Sequence, residues 1–128
     1  MKIKRFEDIQ AWQEARKLVN LVYDSVNNND KFGRDFRLKD QFTSSAVSVM
    51  SNISEGFCRR SNREFVQFLF IAKASVAENQ SILYIALDQS YISNAEFEKL
   101  YEQTDKVARL ISNFISYLIG KSKTQPTQ

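Results

Sequence analysis

The sequence predicts an all-α fold, an antiparallel up-down-up-down four-helix bundle, and three observations support this prediction. Apolar residues recur at steps of three and four in four separate segments, which is the spacing of one helix face. Only three glycines and one proline interrupt the 128 residues, too few for the turns of a fold with many short strands. The connections between the segments are short, so consecutive helices become antiparallel neighbours. We assign one four-helix-bundle domain to residues 1–120 and a disordered tail to residues 121–128.

The first two helices are defined by their apolar stripes and by the residues that interrupt them. The first stripe predicts a helix from about residue 8 to 27, which the run "NNND" then ends. The second stripe predicts a helix that Gly56 ends in the left-handed conformation, and "CRRSN" is then a tight connection. The two stripes consist of Ile9, Trp12, Ala15, Val19, Val22 and Val26, and of Leu38, Phe42, Ala46, Val49 and Ile53.

The third and fourth helices each begin with a capping box. "SNRE" and "SNAE" place a serine three residues before a glutamate, and the two side chains satisfy free backbone amides at the helix start. The predicted helices span about residues 62–89 and 94–119, each roughly 40 Å long at about 1.5 Å per residue. Their stripes are Phe65, Phe68, Ala72, Ser75, Asn79, Ile82 and Ala86, and Phe97, Leu100, Thr104, Val107, Ile111, Phe114 and Leu118.

The third helix is apolar over nearly its whole circumference between residues 64 and 77. Beyond the core stripe, further apolar lines are formed by Val66, Leu69 and Val76 and by Phe70, Ala74 and Ala77. A helix that is apolar all round must be covered on several sides. It is either the central helix of a small bundle, or one of its faces makes a homo-oligomer contact. We expect the homo-oligomer, because a four-helix bundle leaves each helix an outer side.

The composition removes most of the chemistry that an enzyme uses. The chain has no histidine, and therefore lacks the usual general base near neutral pH and the commonest metal ligand. None of the three glycines has a second glycine nearby, so a glycine-rich phosphate loop is absent. Cys58 has no histidine partner, and we interpret it as a small residue at a turn. We therefore expect a non-enzymatic protein with no cofactor, metal or small-molecule substrate.

The sequence also favours a cytoplasmic protein that has no membrane partner. Cys58 is the only cysteine, so no intramolecular disulfide can form, and "MKIKRFEDIQ" lacks the apolar core of a secretory signal. The longest apolar run, "FLFIA" at residues 68–72, is far shorter than the roughly 20 residues that span a bilayer.

A polar stripe runs beside the apolar stripe of the second helix. It consists of Gln41, Ser45, Ser48, Asn52 and Glu55. The stripe is either a solvated face, or its short side chains let another helix approach closely. In the second interpretation, Asn52 and Glu55 belong to a structural polar network with Ser75, Asn79 or the backbone amides beyond Gly56, while Glu78 joins this network or faces solvent.

The predicted topology gathers positive charge at one end of the bundle. Both chain ends and the second connection lie there, and eight cations face four carboxylates, so this end carries +4 within a total of +3. We call it the cationic pole; its cations are Lys2, Lys4, Arg5, Arg59, Arg60, Arg63, Lys121 and Lys123, and its carboxylates are Glu7, Asp8, Glu55 and Glu64. The eight cations are candidate nucleic-acid-binding residues, because contacts to phosphates release counterions. The alternative is a set of solvated charges that aids solubility.

Two segments resemble the signatures of a bacterial four-helix-bundle family, the 23S ribosomal RNA intervening-sequence proteins. "FEDIQAWQEARKL" is similar to the family's Phe-x-Asp-Leu-x-Val-Trp opening. "NISEGFCRRSNREFVQFLFIAKASVAE" is similar to Asn-Ile-Ala-Glu-Gly, a basic stretch, Ser, Glu-Phe, then Ala-x-Gly-Ser and Glu. The matching positions are Phe6, Asp8, Ile9, Trp12, Asn52, Ile53, Glu55, Gly56, Arg60, Ser61, Glu64, Phe65, Phe68, Leu69, Ala72, Ser75 and Glu78.

The resemblance implies an antiparallel four-helix bundle that often assembles as a homopentamer. A related bundle in diversity-generating retroelements binds nucleic acid through its basic surface. Family members often carry arginines at the positions of Thr43 and Ser44, and a glycine at that of Ala74. We expect a self-assembling bundle that binds RNA or DNA weakly and with little sequence preference. The alternative is a structural scaffold or protein adaptor with no nucleic-acid role.

Overall fold

The computed structural model describes the backbone of residues 3–124 and the side chains of residues 3–121, and this part of the chain is helical with no strand. The all-α class is therefore confirmed. A 3₁₀ turn at Phe6–Asp8 precedes five helices: α1 (Gln10–Asn28), α2 (Asp30–Arg34), α3 (Phe36–Phe57), α4 (Asn62–Asp88) and α5 (Asn94–Thr124). The four long helices agree with the four predicted helices, whereas α2 was not predicted.

The long helices pack around one shared core. Both α1 and α4 pack against α3 and against α5, so each long helix has two long neighbours. Most residues of the four predicted stripes are buried in this core or pack against it. Phe68 is an exception, because it is only half-buried and lies beneath the guanidinium of Arg59, 4.5 Å from the ring centroid.

The predicted capping box is complete at the start of α5, whereas at the start of α4 only the serine caps a backbone amide. At the start of α4, the Glu64 amide donates to Ser61 Oγ at 3.2 Å, and that hydroxyl donates to Glu64 Oε1 at 3.3 Å. At the start of α5, the Glu96 amide donates to Ser93 Oγ at 3.1 Å, and the Ser93 amide donates to Glu96 Oε1 at 3.2 Å. These bonds explain why both helices begin at the predicted residues.

The prediction that Gly56 ends a helix in the left-handed conformation is wrong. Gly56 lies inside α3, and no described glycine has a positive φ. A Cβ atom at this position would lie 2.7 Å from Phe65 Cδ1 and 2.8 Å from Phe68 Cβ. Glycine is therefore needed here because α4 passes very close to α3. The helix ends at Phe57, and the connection to α4 is as tight as predicted, spanning residues 58–61.

The run "NNND" interrupts the helical chain for a single residue. Asn29 has an extended backbone and separates α1 from the short helix α2. Its side-chain amide donates to the Ser25 carbonyl at 2.6 Å and to Glu96 Oε2 at 3.1 Å. Helix α2 buries Phe32, whose ring stacks on those of Phe42 and Tyr91 at centroid distances of 5.2 and 5.4 Å. The short helix thus covers the core where α1 ends and α3 begins.

A buried carboxylate joins α1 to α5. Glu14 Oε1 accepts a hydrogen bond from Gln103 Nε2 at 3.1 Å and lies 3.3 Å from Lys106 Nζ, while Oε2 lies 3.0 Å from Lys17 Nζ. Burial raises the pKa of Glu14, but the hydrogen bonds from Gln103, Lys17 and Lys106 outweigh it and bring the pKa below its ordinary value. The ionised carboxylate is therefore stabilised in the folded protein.

The last helix extends beyond the predicted end of the domain. α5 continues to Thr124, although the sequence places the start of a disordered tail at residue 121. Residues 125–128 of that tail lie outside the described part of the chain. Within residues 3–124, no helix combines the length and the apolar character required of a membrane span.

Candidate nucleic-acid interface

The start of the chain, the α3–α4 connection and the end of α5 meet around one cavity. It has a volume of about 240 Å³, and its walls include Ile3, Arg59, Arg60 and Lys121. These residues come from the three segments that the predicted topology places at one pole. We call this space the pole cavity.

The described members of the cationic pole all lie at the surface. The exposed residues are Lys4, Arg5, Arg59, Arg60, Arg63 and Lys121. Lys2 lies outside the described residues, and Lys123 lies in α5 but its side chain is not among those described. Arg59, Arg60 and Lys121 line the pole cavity, whereas Lys4, Arg5 and Arg63 do not.

Arg5 is paired with an acid. Its guanidinium donates to Glu7 Oε2 at 2.7 Å. This hydrogen bond raises the pKa of Arg5 and lowers the pKa of Glu7. The Glu7 carboxylate partly neutralises Arg5, which makes this arginine a weaker candidate for phosphate binding.

Part of the lining of the pole cavity is apolar and largely aromatic, and we call this part the aromatic wall. It is formed by Ile3, Phe57, Phe65, Phe114, Tyr117 and Leu118. The Phe65 ring meets those of Phe57 and Phe114 edge to face, at centroid distances of 6.1 and 5.3 Å. Among the described residues, no Asp or Glu lines the cavity. The space therefore combines an apolar wall with a cationic rim, which suits a ligand that is both flat and anionic.

Two of the lining cations contact aromatic rings, and the start of α4 adds partial positive charge to the cavity. Arg59 stands over the Phe68 ring, and Lys121 Nζ lies 5.9 Å from the centroid of the Tyr117 ring. Ser61 and Asn62 also line the cavity, so the partial positive charge at the start of α4 faces the same space.

The aromatic wall was not among the predicted site residues. Phe114 belonged to a core stripe, while Ile3, Phe57 and Tyr117 were not singled out. The sequence does contain one signal, since Phe114 and Tyr117 are three residues apart and lie just before the basic end of the chain. Their rings stack nearly in parallel, with centroids 6.1 Å apart and an interplanar angle of 16°.

The polar stripe of α3 faces α4 over its middle part. Ser45 is buried, and its hydroxyl accepts a hydrogen bond from Asn79 Nδ2 at 2.9 Å. Ser48 and Ser75 share a hydrogen bond of 2.9 Å between their hydroxyls, and Asn52 Nδ2 donates to Ser48 Oγ at 3.0 Å. Short polar side chains therefore let the two helices approach each other, and Ser48 links Asn52 to Ser75.

Glu55 does not join the predicted polar network, and Glu78 takes the second of its two predicted alternatives, facing solvent. Glu55 and Glu78 are both exposed. Each precedes a buried residue, Gly56 or Asn79, and a step of one residue turns the side chain by about 100° around the helix. The network is thus composed of Asn52, Ser48 and Ser75, and the two carboxylates lie outside it.

Thr43 and Ser44, at the positions where the resemblance implies arginines, carry no charge. Thr43 Oγ1 donates to the Lys39 carbonyl at 2.9 Å, and Ser44 Oγ donates to the Asp40 carbonyl at 2.6 Å. Both hydroxyls therefore bond to their own helix. Cys58 is exposed immediately after α3, and the described residues include no cluster of three or more metal-ligating side chains.

The outer face of α4 exposes large apolar side chains. Phe70, Ile71 and Tyr84 are 51%, 49% and 51% exposed, and Ala74 and Ala77 are exposed between them. We call this surface the α4 outer face. It includes the third of the apolar lines of this helix, and one face of the helix was predicted to make a homo-oligomer contact.

Comparison with known proteins gives matches to a family and to a solved structure. The sequence model of a family described as "23S rRNA-intervening sequence protein" matches residues 7–113. A crystal structure of a protein of unknown function from the S23 ribosomal protein family of Bacteroides thetaiotaomicron is similar, with a TM-score of 0.69 and 25% sequence identity. This similarity covers 82% of this chain and 94% of that chain. No curated protein matches the sequence.

Proposed function

The chain belongs to the 23S rRNA-intervening sequence protein family, and we propose that it is a non-enzymatic, self-assembling helical bundle that binds RNA or DNA weakly through its cationic pole. In this proposal the four long helices run up, down, up and down, as the short connection at residues 58–61 favours. The protein acts in the cytoplasm and needs no cofactor, membrane or small-molecule substrate.

The observation that carries this proposal is the composition of the pole cavity. Three cations from two distant parts of the chain, Arg59, Arg60 and Lys121, line one space, and the described residues around it include no acidic side chain. The paired N–H donors of an arginine guanidinium match the spacing of phosphate oxygens, and each contact to a phosphate releases counterions from the nucleic acid. Contacts to the backbone of a nucleic acid carry little sequence information, so we expect weak sequence preference.

The dependence of binding on salt and on the pole's arginines tests this function. We expect affinity for a generic RNA to fall by about 10³ between about 50 and 200 mM salt if about six phosphates are contacted. Replacing Arg59, Arg60 and Arg63 together with glutamine removes three of the exposed cations. This variant should lose most of its retardation of RNA and of duplex DNA in electrophoretic assays.

A matched control removes the same charge from another part of the surface. Lys31, Arg34 and Arg37 are exposed where α2 meets α3. Their joint replacement by glutamine should change affinity by no more than about threefold, because salt screens charges that lie beyond about 10 Å. If wild-type protein retards no nucleic acid at about 50 mM salt, the scaffold or adaptor alternative is favoured.

Self-assembly through the α4 outer face is the second part of the proposal. Exposed Phe70, Ile71 and Tyr84 together form a larger apolar surface than isolated exposed residues would. A homo-oligomer would cover this surface, and the family resemblance favours a homopentamer. A cyclic assembly would also bring one cationic pole from each subunit to the same side, which increases the number of phosphate contacts.

A further inference from the structure

We propose that the pole cavity binds one unpaired base of a single-stranded RNA or DNA, while Arg59 and Arg60 hold the adjoining phosphates. This inference rests on the proposed function. It extends that function by naming the form of nucleic acid that the site selects and the aromatic wall that selects it.

The arrangement of polar and apolar groups in the cavity favours a single strand over a duplex. The lining cations are exposed, whereas Phe57 and Phe114 are half-buried and Tyr117 is 42% exposed. A duplex exposes its phosphates and keeps its bases stacked inside, so it could reach the rim cations but not the wall. A single strand can turn a base outward and stack it on aromatic side chains.

Tyr117 is the most exposed of the four rings that line the cavity. A base that stacks on it takes the place of the Lys121 ammonium, which lies over the ring at 5.9 Å from the centroid. Tyr117 is 42% exposed, and its ring stacks on that of Phe114, which packs against the core. The ring is therefore held in a defined position before any ligand binds. A rigid aromatic side chain loses little conformational entropy on binding and presents a large flat surface.

The size of the cavity fits one base better than several. Its volume of about 240 Å³ is slightly below the roughly 300 Å³ at which drug-sized ligand sites begin. A single planar base with part of its sugar is the portion of a strand that such a space can hold. Because every base has a flat face, stacking here gives little sequence preference, in agreement with the proposed function.

The experiment measures fluorescence anisotropy of labelled probes with the full-length protein. The probes are an oligoadenylate of about 12 nucleotides as RNA and as DNA, an abasic DNA strand of equal length, and a DNA duplex of equal length. We expect the base-containing strands to bind about fivefold or more tighter than the abasic strand. The RNA and DNA strands show whether the sugar contributes.

Variants at position 117 test the aromatic wall. Tyr117→Leu keeps an apolar side chain but removes the ring, and should weaken binding of the base-containing strands by about fivefold or more. It should leave duplex and abasic affinities within about twofold of the wild-type values. Tyr117→Phe retains the ring and should bind like wild type. Tyr23→Leu is the matched control, since Tyr23 is 44% exposed on α1 and does not line the cavity.

The outcomes separate this inference from the proposed function. If the abasic strand binds as tightly as the base-containing strands, or Tyr117→Leu weakens duplex binding equally, no base is bound in the cavity. The proposed function still stands in that case, provided that the triple arginine variant loses binding. If wild-type protein binds none of the probes, both proposals are overturned. Circular dichroism confirms that each variant retains its helices.

Discussion

At the scale of single residues, Gly56 allows α3 and α4 to pack closely. Any Cβ at this position would overlap Phe68 Cβ. Phe68 Cβ is fixed to the backbone of α4 and cannot rotate away. A side chain at position 56 therefore requires the helices themselves to move apart.

We expect Gly56→Ala to destabilise the protein by about 1 kcal/mol or more. Overpacking of a tight core costs about 1–3 kcal/mol, and the better helix propensity of alanine recovers up to about 1 kcal/mol. Gly120→Ala is the control, because a Cβ at that helical position has no atom within 4 Å. Urea unfolding measures both variants. Equal unfolding free energies for the two variants would contradict the account of Gly56.

The sequence could not distinguish between the two roles of this glycine. A glycine after a helical stripe and before "CRRSN" is typical of a helix end, and our prediction followed that pattern. The close approach of Phe65 and Phe68 depends on how α4 packs against α3, which no local pattern contains. For the same reason, the sequence predicted the polar network of Asn52 and Ser75 only as one of two alternatives, the other being a solvated helix face.

At the scale of elements, an ionised side chain links α1 to α5 in addition to the apolar core. Glu14 is buried on α1, and two of its partners, Gln103 and Lys106, belong to α5. Gln103 Nε2 also donates to the Glu14 carbonyl at 2.9 Å. One residue thus provides both backbone and side-chain acceptors to the neighbouring helix.

Stability should depend on pH through Glu14. Its folded-state pKa is lowered, so its stabilisation is present above the ordinary carboxylate pKa of about 4.3 and is lost as pH falls through the folded-state value. Glu14→Gln should cost about 1 kcal/mol at pH 7, and this difference should shrink near pH 3. Urea unfolding at both pH values measures it. Glu102 is exposed, and Glu102→Gln is the control substitution. If the difference in unfolding free energy between wild type and Glu14→Gln stays constant with pH, Glu14 does not have this role.

Long helices were predictable from the sequence, whereas the short helix was not. The starts of α4 and α5 were predicted to the residue, because Ser61 and Ser93 cap them through local contacts. Helix α2 has five residues, which is too short to display an apolar period. Its single buried residue, Phe32, packs against Phe42 of the next helix and against Tyr91 from a distant part of the chain.

At the scale of the whole molecule, the topology determines which charges lie together. The gathering of Arg59, Arg60 and Lys121 follows from how the helices are connected, and could therefore be predicted from their order. The aromatic wall could not be predicted from the order of the helices, because it depends on which parts of Phe57 and Tyr117 are not covered by the core. Sequence reasoning thus found the charged rim of the candidate site but not its aromatic wall.

The α4 outer face leads to a prediction about the oligomeric state. Wild-type protein should sediment as a species heavier than its 14.9 kDa chain at micromolar concentration. Phe70→Glu should shift this species towards the monomer, because it places a charge at the centre of an apolar contact. Tyr23→Glu, which changes a similarly exposed ring on α1, should have no effect. Sedimentation of wild-type protein as a single 14.9 kDa species would rule out self-association.

The close contact between α3 and α4 also affects how the chain folds. These two helices are consecutive, only residues 58–61 separate them, and they share the most extensive packing in the molecule. Closing such a short loop loses little chain entropy, and local contacts of this kind form early. We therefore expect residues 36–88 to form the folding nucleus, on which α1 and α5 assemble afterwards.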